Sequence, residues 1–356
     1  MRIRPGLIAS ALATTIALAA APACGSTTRG AKPAAASTPA TAETAPSSTP
    51  TTVPTSGAAP TGVAPCGAAG ATVLAEAAGS VAARIYGSEE SSTETTADRR
   101  QIESFAPLVS AVERGEHGAI EEAVHSLVYS GTHIVRLRVS QGSKLLSDIG
   151  GPYIIAPVSG VLRSHGRAIA HFVFSVQDDL GYVKLETRFL GAPLVLRTSS
   201  GQVPIEGQLQ PGPARIPDRG PVSYHGVHYE AFSFNAKAFP SGRLRISILL
   251  TLPRSVRTQS CVQVKADELA RVAQRISRRF SLTPSVFGPF VRLAHAVTEE
   301  YVYVRAGSRT LAGSTRSTPR KLPTSGPLRW HGVDYVVSSF AAPSSVGTVH
   351  VYVLVR

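Results

Sequence analysis

The chain has 356 residues, with 36 Lys and Arg against 23 Asp and Glu, a formal charge of +13. Its length beyond residue 62 suits two or three small domains, and no apolar run there reaches membrane-helix length, which excludes a bundle of spanning helices. From Val63 onward, 32 bases still face 22 acids; such a surplus suits an anionic neighbour, lipid headgroups or wall polymer, and equally serves solubility.

Met1 is followed by Arg2 and Arg4, an apolar stretch from Leu7 to Ala20, and Ala21-Pro22-Ala23 immediately before Cys24. This order of basic, apolar and small residues reads as a signal peptide over 1–23 and predicts an extracytoplasmic protein. Ala21-Pro22-Ala23 fits an ordinary signal peptidase, giving a secreted chain. Followed by Cys24-Gly25-Ser26 it also resembles a bacterial lipobox, with Ala21 where Leu is usual, giving lipidation at Cys24 and a membrane anchor. Residues 24–62 are, after Cys24, almost entirely Ala, Thr, Pro, Ser and Gly, with Arg29, Lys32 and Glu43 the only charges; they cannot bury enough apolar surface to offset ordering and read as a disordered tether.

Helical spacing begins at Ala71–Tyr86, where Val73, Leu74, Ala77, Ala78, Val81 and Ile85 share a stripe. Asp98–Glu116, interrupted by Pro107, and Ala119–Ser130 follow. A second set runs from Ala266 to Phe280, with Leu269, Val272, Ala273 and Ile276 on its stripe, and Thr283-Pro284 opens another helix. Shifting the first stripe onto the second superposes Cys66 on Cys261. With Cys24 set aside, these two form one even pair for an oxidising compartment and predict a disulfide.

Between and after the helices one pattern occurs three times: Pro, two residues, Gly, four residues, His-Gly. The copies are Pro157, Gly160, His165-Gly166; Pro217, Gly220, His225-Gly226; and Pro323, Gly326, His331-Gly332. Nine residues beyond each His stands a Phe (Phe174, Phe234, Phe340), and further on a Gly opens a strand-like run at Gly181, Gly242 and Gly347. Upstream, Gly142, Gly201 and Gly307 each follow a short alternating run. Each copy reads as about five antiparallel strands with His-Gly at a tight hairpin. The expected organisation is helices plus the first copy over 63–190, the second copy without helices of its own over 191–260, and helices plus the third copy over 261–356.

Helices leading into five antiparallel strands in tandem, with Ile134-Val-Arg-Leu-Arg-Val-Ser-Gln-Gly, the Gly150-Gly-Pro turn and Gly166-Arg-Ala-Ile-Ala-His-Phe-Val-Phe-Ser-Val-Gln-Asp-Asp, resemble the Cache branch of PAS-like extracytoplasmic sensor domains. The resemblance implies an α+β fold of tandem PAS/Cache-like units. It also implies a pocket between the first copy's sheet and the loop after its second strand, for a small metabolite such as a carboxylate or amino acid. Arg136, Arg138, His171, Asp178, Asp179 and Tyr182 are the ligand-binding candidates. Any signal is expected to pass through a membrane or signalling partner protein.

Each candidate has a plainer reading. Arg136 and Arg138 suit a carboxylate or a solvated strand face; Asp178 and Asp179 suit a cation or ammonium group or a polar turn. His165, His225 and His331 recur at turns and lack ligand-set spacing, so no metal is expected. Arg271, Arg275, Arg278 and Arg279 form a basic helix stripe for anionic lipid or polymer, or a solvated face. No Gly-x-Ser-x-Gly, His-Glu-x-x-His, Ser-x-x-Lys or Gly-Lys-Ser/Thr motif occurs. The reading is therefore a non-enzymatic sensor-like binding protein without cofactor or nucleic-acid partner. A basic adhesin or scaffold for anionic wall polymer, membrane or another protein is the alternative, and an unrecognised hydrolase a third.

Overall fold

The helical stripe after Cys66 becomes α1 (Ala69–Ser91), which stops at Ser92, whose Oγ accepts from Thr95 N to cap α2 (Thr93–Ser104). The computed structural model describes residues 64–130, 133–206 and 208–356; the segments read as signal peptide and tether, and Cys24, lie outside them. Pro107 falls in the first turn of α3 (Ala106–Arg114), where its missing N–H costs nothing, and α4 (His117–Tyr129) follows. The chain then forms β1 (Arg136–Gln141), β2 (Lys144–Gly150), β3 (Val158–Ser164) and β4 (Arg167–Ser175). Next come α5 (Asp179–Leu190), β5 (Leu194–Thr198), β6 (Gly201–Gln202), β7 (Arg219–Tyr224), β8 (Val227–Lys237) and β9 (Arg243–Leu250). The last third holds α6 (Cys261–Ser277), α7 (Pro284–Thr298), β10 (Tyr301–Ala306), β11 (Arg309–Gly313), β12 (Ser325–Trp330), β13 (Val333–Ser344) and β14 (Gly347–Val355).

The class is α+β, with three antiparallel sheets ordered β2-β1-β4-β3, β6-β5-β9-β8-β7 and β11-β10-β14-β13-β12. The recurring His-Gly pairs are two-residue hairpin turns: Ser164 pairs with Arg167, Tyr224 with Val227 and Trp330 with Val333. His165, His225 and His331 have φ of 46°, 48° and 49°, and the glycines after them 78°, 76° and 76°. Both central residues are left-handed, the geometry that matches strand twist. His is among the few non-Gly residues enriched there, which accounts for its recurrence.

The expectation of a strand opening at Gly181 is corrected: that run is helix α5. Asp178 caps it by accepting from Gly181 N, and Gly191 ends it with φ 65°. Tyr182, Val183, Glu186, Phe189 and Leu190 all lie buried at helical spacing. Without that strand the first sheet has four members, and β1 pairs directly with β4, whereas the second and third sheets place their last strand at that point.

The assignment of α1 to the first copy is also corrected. Leu74, Ala78, Val81 and Ile85 of α1 share one core with Phe232, Leu244, Ile246 and Ile248 of the second sheet, with α5, α6 and α7, and with the inner face of the third sheet. The second sheet therefore does have helices, α1 and α5, matching α6 and α7 of the third. The segment from α2 to β4 is an insertion between α1 and α5, and it has a core of its own: Ile102, Leu108, Ile120, Val124 and Leu127 pack on Leu137, Val139, Leu162, Phe172 and Phe174. Cys66 and Cys261 form the expected disulfide, joining the N-terminal ends of the two equivalent helices.

Candidate functional site

The first sheet turns Leu137 and Val139 inward and Arg136 and Arg138 outward, as strand alternation requires. Across the ladder, Arg138 lies opposite Asp148 on β2 and Val173 on β4, and Ser140 lies opposite His171. Asp148 takes both arginines: Arg136 forks onto it through Nε (3.0 Å) and Nη2 (2.9 Å), and Arg138 donates through Nε at 3.0 Å. Arg136 also donates to Tyr153 O (3.0 Å) and lies over the Phe239 ring at 4.3 Å. The Arg138 side chain remains one-third exposed (33%), against 18% for Arg136, and His171 is exposed.

The loop after β2 is the one the resemblance singled out, and the candidate residues hold it. Asp179 accepts from Ile154 N (2.8 Å) and Ile155 N (3.2 Å), while Ala156 N donates to the Tyr86 hydroxyl (2.9 Å). Ser175 Oγ donates to Ile155 O at 2.6 Å, and Phe239 N of the second sheet's unit donates to Ile154 O at 2.9 Å. Burial pushes the Asp179 carboxyl up, the two backbone donors pull it back, and Asp178 and Arg136 act in opposite senses beyond that. The loop is thus a joint between the inserted unit and α1, α5 and the second sheet.

Five of the six candidates, Arg136, Arg138, Asp178, Asp179 and Tyr182, lie at this joint or on the strand beside it, and His171 stands on the same sheet face but apart from them. Arg136, Arg138 and His171 stand on the sheet face, Asp178 caps α5, Asp179 grips the loop, and Tyr182 is fully buried edge-on to Tyr86 with centroids 5.5 Å apart. His171 is further along β4, opposite Ser140, and makes no hydrogen bond or ion pair with the other five. Tyr182 faces the core, away from the open face.

Tyr86, Glu89, Asp148 and Glu186 were not among the candidates. Glu186 is fully buried, and neither carboxyl oxygen makes a well-formed hydrogen bond, although the Tyr182 hydroxyl faces it. Burial first, and then Glu89, hold it well above the ordinary carboxylate range. Glu89 is itself pushed up to about 7 by burial and by Glu94. The available signal was Glu186 four residues beyond Tyr182 on an otherwise apolar helix stripe. The basic stripe on α6 is partly turned inward: Arg271 pairs with buried Glu268, and Arg275 lies 3.8 Å from the same carboxyl, its guanidinium against Gly191.

Two open clefts lie away from the candidate residues. One, of about 400 Å³, is lined by Gly67, Ala71, Arg254 and Arg257; the other, of about 240 Å³, runs between α1 and α6 past Glu76, Arg84 and Lys265. No family model matches the sequence, and no curated protein matches it significantly. Among solved structures, two crystal structures of the Vibrio cholerae LuxQ periplasmic domain align with 80% of this chain and with 95% and 97% of their own. The identity is 9% and the TM-score 0.14 in both. The functional reading rests on the chain's own residues.

Proposed function

We propose that this chain is an exported, envelope-held binding protein of sensor type that takes a small extracellular carboxylate or amino acid on the open face of its first sheet. The observation that carries the reading is the insertion of a separately cored unit into one of two otherwise matching halves, with its loop gripped by α1 and α5. A ligand seated against that loop acts on Asp179 and Tyr86, and so on the helix layer that both larger sheets share. Arg138 supplies a guanidinium with donors to spare, and His171 an exposed imidazole. The Cache resemblance favours the same ligand class. Export is supported by the N-terminal sequence together with the Cys66–Cys261 disulfide, a pairing that persists outside the cytoplasm. A lipid at Cys24 and a partner protein that carries the signal belong to the proposal; no catalysis, cofactor or metal is invoked.

Thermal unfolding of the chain against a panel of organic acids and amino acids tests it. One compound class, at about a hundred times its dissociation constant, should stabilise the fold by about 2.7 kcal/mol. Arg138→Ala should abolish the shift, since the variant leaves the Arg136–Asp148 fork in place. An unmoved midpoint with every compound, or a shift undiminished in the variant, overturns the proposal.

A further inference from the structure

The outer face of the third sheet, opposite the core layer, is aromatic. Tyr301, Trp330 and Tyr335 form a triangle with ring centroids 6.0, 6.0 and 5.9 Å apart, and Tyr303 lies 6.4 Å from Trp330. Tyr303 is fully buried beneath the loop that follows β11: its hydroxyl is bonded to Thr315 Oγ1 (2.8 Å) and lies 3.2 Å from Ser317 O. Tyr301, Trp330 and Tyr335 are only half-buried. Among the described residues the Trp330 indole N–H has no hydrogen-bond partner, and it is not enclosed.

Aromatic cross-strand neighbours stabilise a sheet, and that alone would explain a pair or two. The second sheet provides an internal control. With the same strand order and a covering loop of its own, it lines the equivalent face with Val195, Ala231, Leu249, Ile216 and Val222, and with half-buried Tyr229. At the turn position held by Trp330 it has Tyr224, whose hydroxyl is tied to Pro211 O. The second sheet thus keeps a tyrosine at each of the positions of Trp330 and Tyr335, but β5 carries no aromatic residue to answer Tyr301 and Tyr303, so the closed triangle of rings belongs to the third sheet.

Charge narrows what such a surface suits. The loop over the face carries exposed Arg316, Arg320 and Lys321, and Arg356 is exposed and acts electrostatically on Tyr335. Of the nearby carboxylates, Glu300 pairs with Lys265 at 2.8 Å, and Asp334, itself exposed, lies 3.9 Å from exposed Arg329. The rings are inclined to one another, Tyr301 at 85° to Trp330 and Tyr335 at 47° and 51° to the two, so they offer a stepped series of ring faces and edges with a cationic border, which fits successive ring-shaped units of a chain bearing negative charge. The apolar C–H faces of pyranose rings stack on aromatic rings, while their edges offer hydroxyls to an unpartnered indole N–H.

We propose that the outer face of the third sheet binds an anionic polysaccharide, with sugar rings on Tyr301, Trp330 and Tyr335 and its carboxylate or sulfate groups met by Arg316, Arg320, Lys321 and Arg356. Trp330 is the chain's only tryptophan, so its fluorescence reports this face directly. The full chain is titrated with polygalacturonate, with neutral dextran, and with polyglutamate, which carries charge without sugar rings. The expected result is a saturable change in Trp330 emission with polygalacturonate. Dextran and polyglutamate should each bind at least tenfold more weakly. Tyr335→Ala should weaken polygalacturonate at least tenfold, and Arg356→Ala together with Lys321→Ala severalfold; the latter pair lies at exposed positions where folding is not at stake. No emission change with polygalacturonate, or an affinity unaltered by the exposed charge variants, overturns the proposal. Polyglutamate as effective as polygalacturonate assigns the face to an acidic protein partner and overturns it equally, as does dextran binding of equal strength.

Discussion

Replacing both Cys66 and Cys261 with Ala removes a cross-link that closes a segment of 195 residues. Chain-entropy reasoning for a loop of that length gives about 5 kcal/mol of stabilisation through restriction of the unfolded chain, with about 2–4 kcal/mol the usual yield. The native ends stay registered without the bond, because Cys66 N donates to Gln259 O at 2.7 Å and Gly67 N to Arg257 O at 3.2 Å. Those contacts survive in the variant, so the expected loss is about 2–5 kcal/mol and falls on the unfolded side of the equilibrium. Domains are commonly stable by about 5–15 kcal/mol, so such a loss moves the urea midpoint well beyond measurement error. The slope of the transition should also rise, since the uncrosslinked chain exposes more surface on unfolding. Reductant should bring the wild type to the midpoint of the variant and leave the variant unmoved. A double variant within about 1 kcal/mol of wild type, or one that reductant still destabilises, would refute the reasoning that ties the two helix ends through this bond.

Two further predictions concern α1. A Cβ at Gly79 would fall inside the Phe232 ring, itself pinned beneath the Arg219 guanidinium at 3.6 Å; Gly79→Ala should cost about 1–3 kcal/mol in urea unfolding, and adding Phe232→Leu should recover part of it, whereas strictly additive losses would show that the contact is not the cause. Glu89 has its pKa raised from 4.5 to about 7 in the folded chain. Its contribution is therefore fully present below pH 4.5 and lost as pH rises through 7, an effect of about 3 kcal/mol for a group this enclosed. Glu89→Gln should match wild type near pH 4.5 and gain on it steadily up to pH 8 in paired unfolding curves; a constant difference across that range would count against the burial of this carboxyl.

The features legible in the sequence are those with a local cause. Two consecutive left-handed residues are a demand of the hairpin itself, so His165-Gly166, His225-Gly226 and His331-Gly332 marked their turns wherever the surrounding chain went. The stripes of α1 and α6 and the equivalence of Cys66 with Cys261 were readable in the same way, because amphipathic spacing and cysteine count need no knowledge of neighbours. The α5 segment was misread because Gly181-Tyr-Val-Lys-Leu is too short a window to separate the two periods; the cap at Asp178 and the stop at Gly191, one on either side, decide it.

Tertiary structure alone decided which elements belong together. The helix that precedes the first copy in the chain packs on the second sheet, because the intervening unit satisfies its own core and leaves the stripe of α1 to be buried elsewhere. The pairing of Arg136 and Arg138 with Asp148, and of Asp179 with the amides of Ile154 and Ile155, likewise depends on strand register and loop path. Residue type announces that a buried charge must find a partner; only the folded chain determines which partner comes within reach.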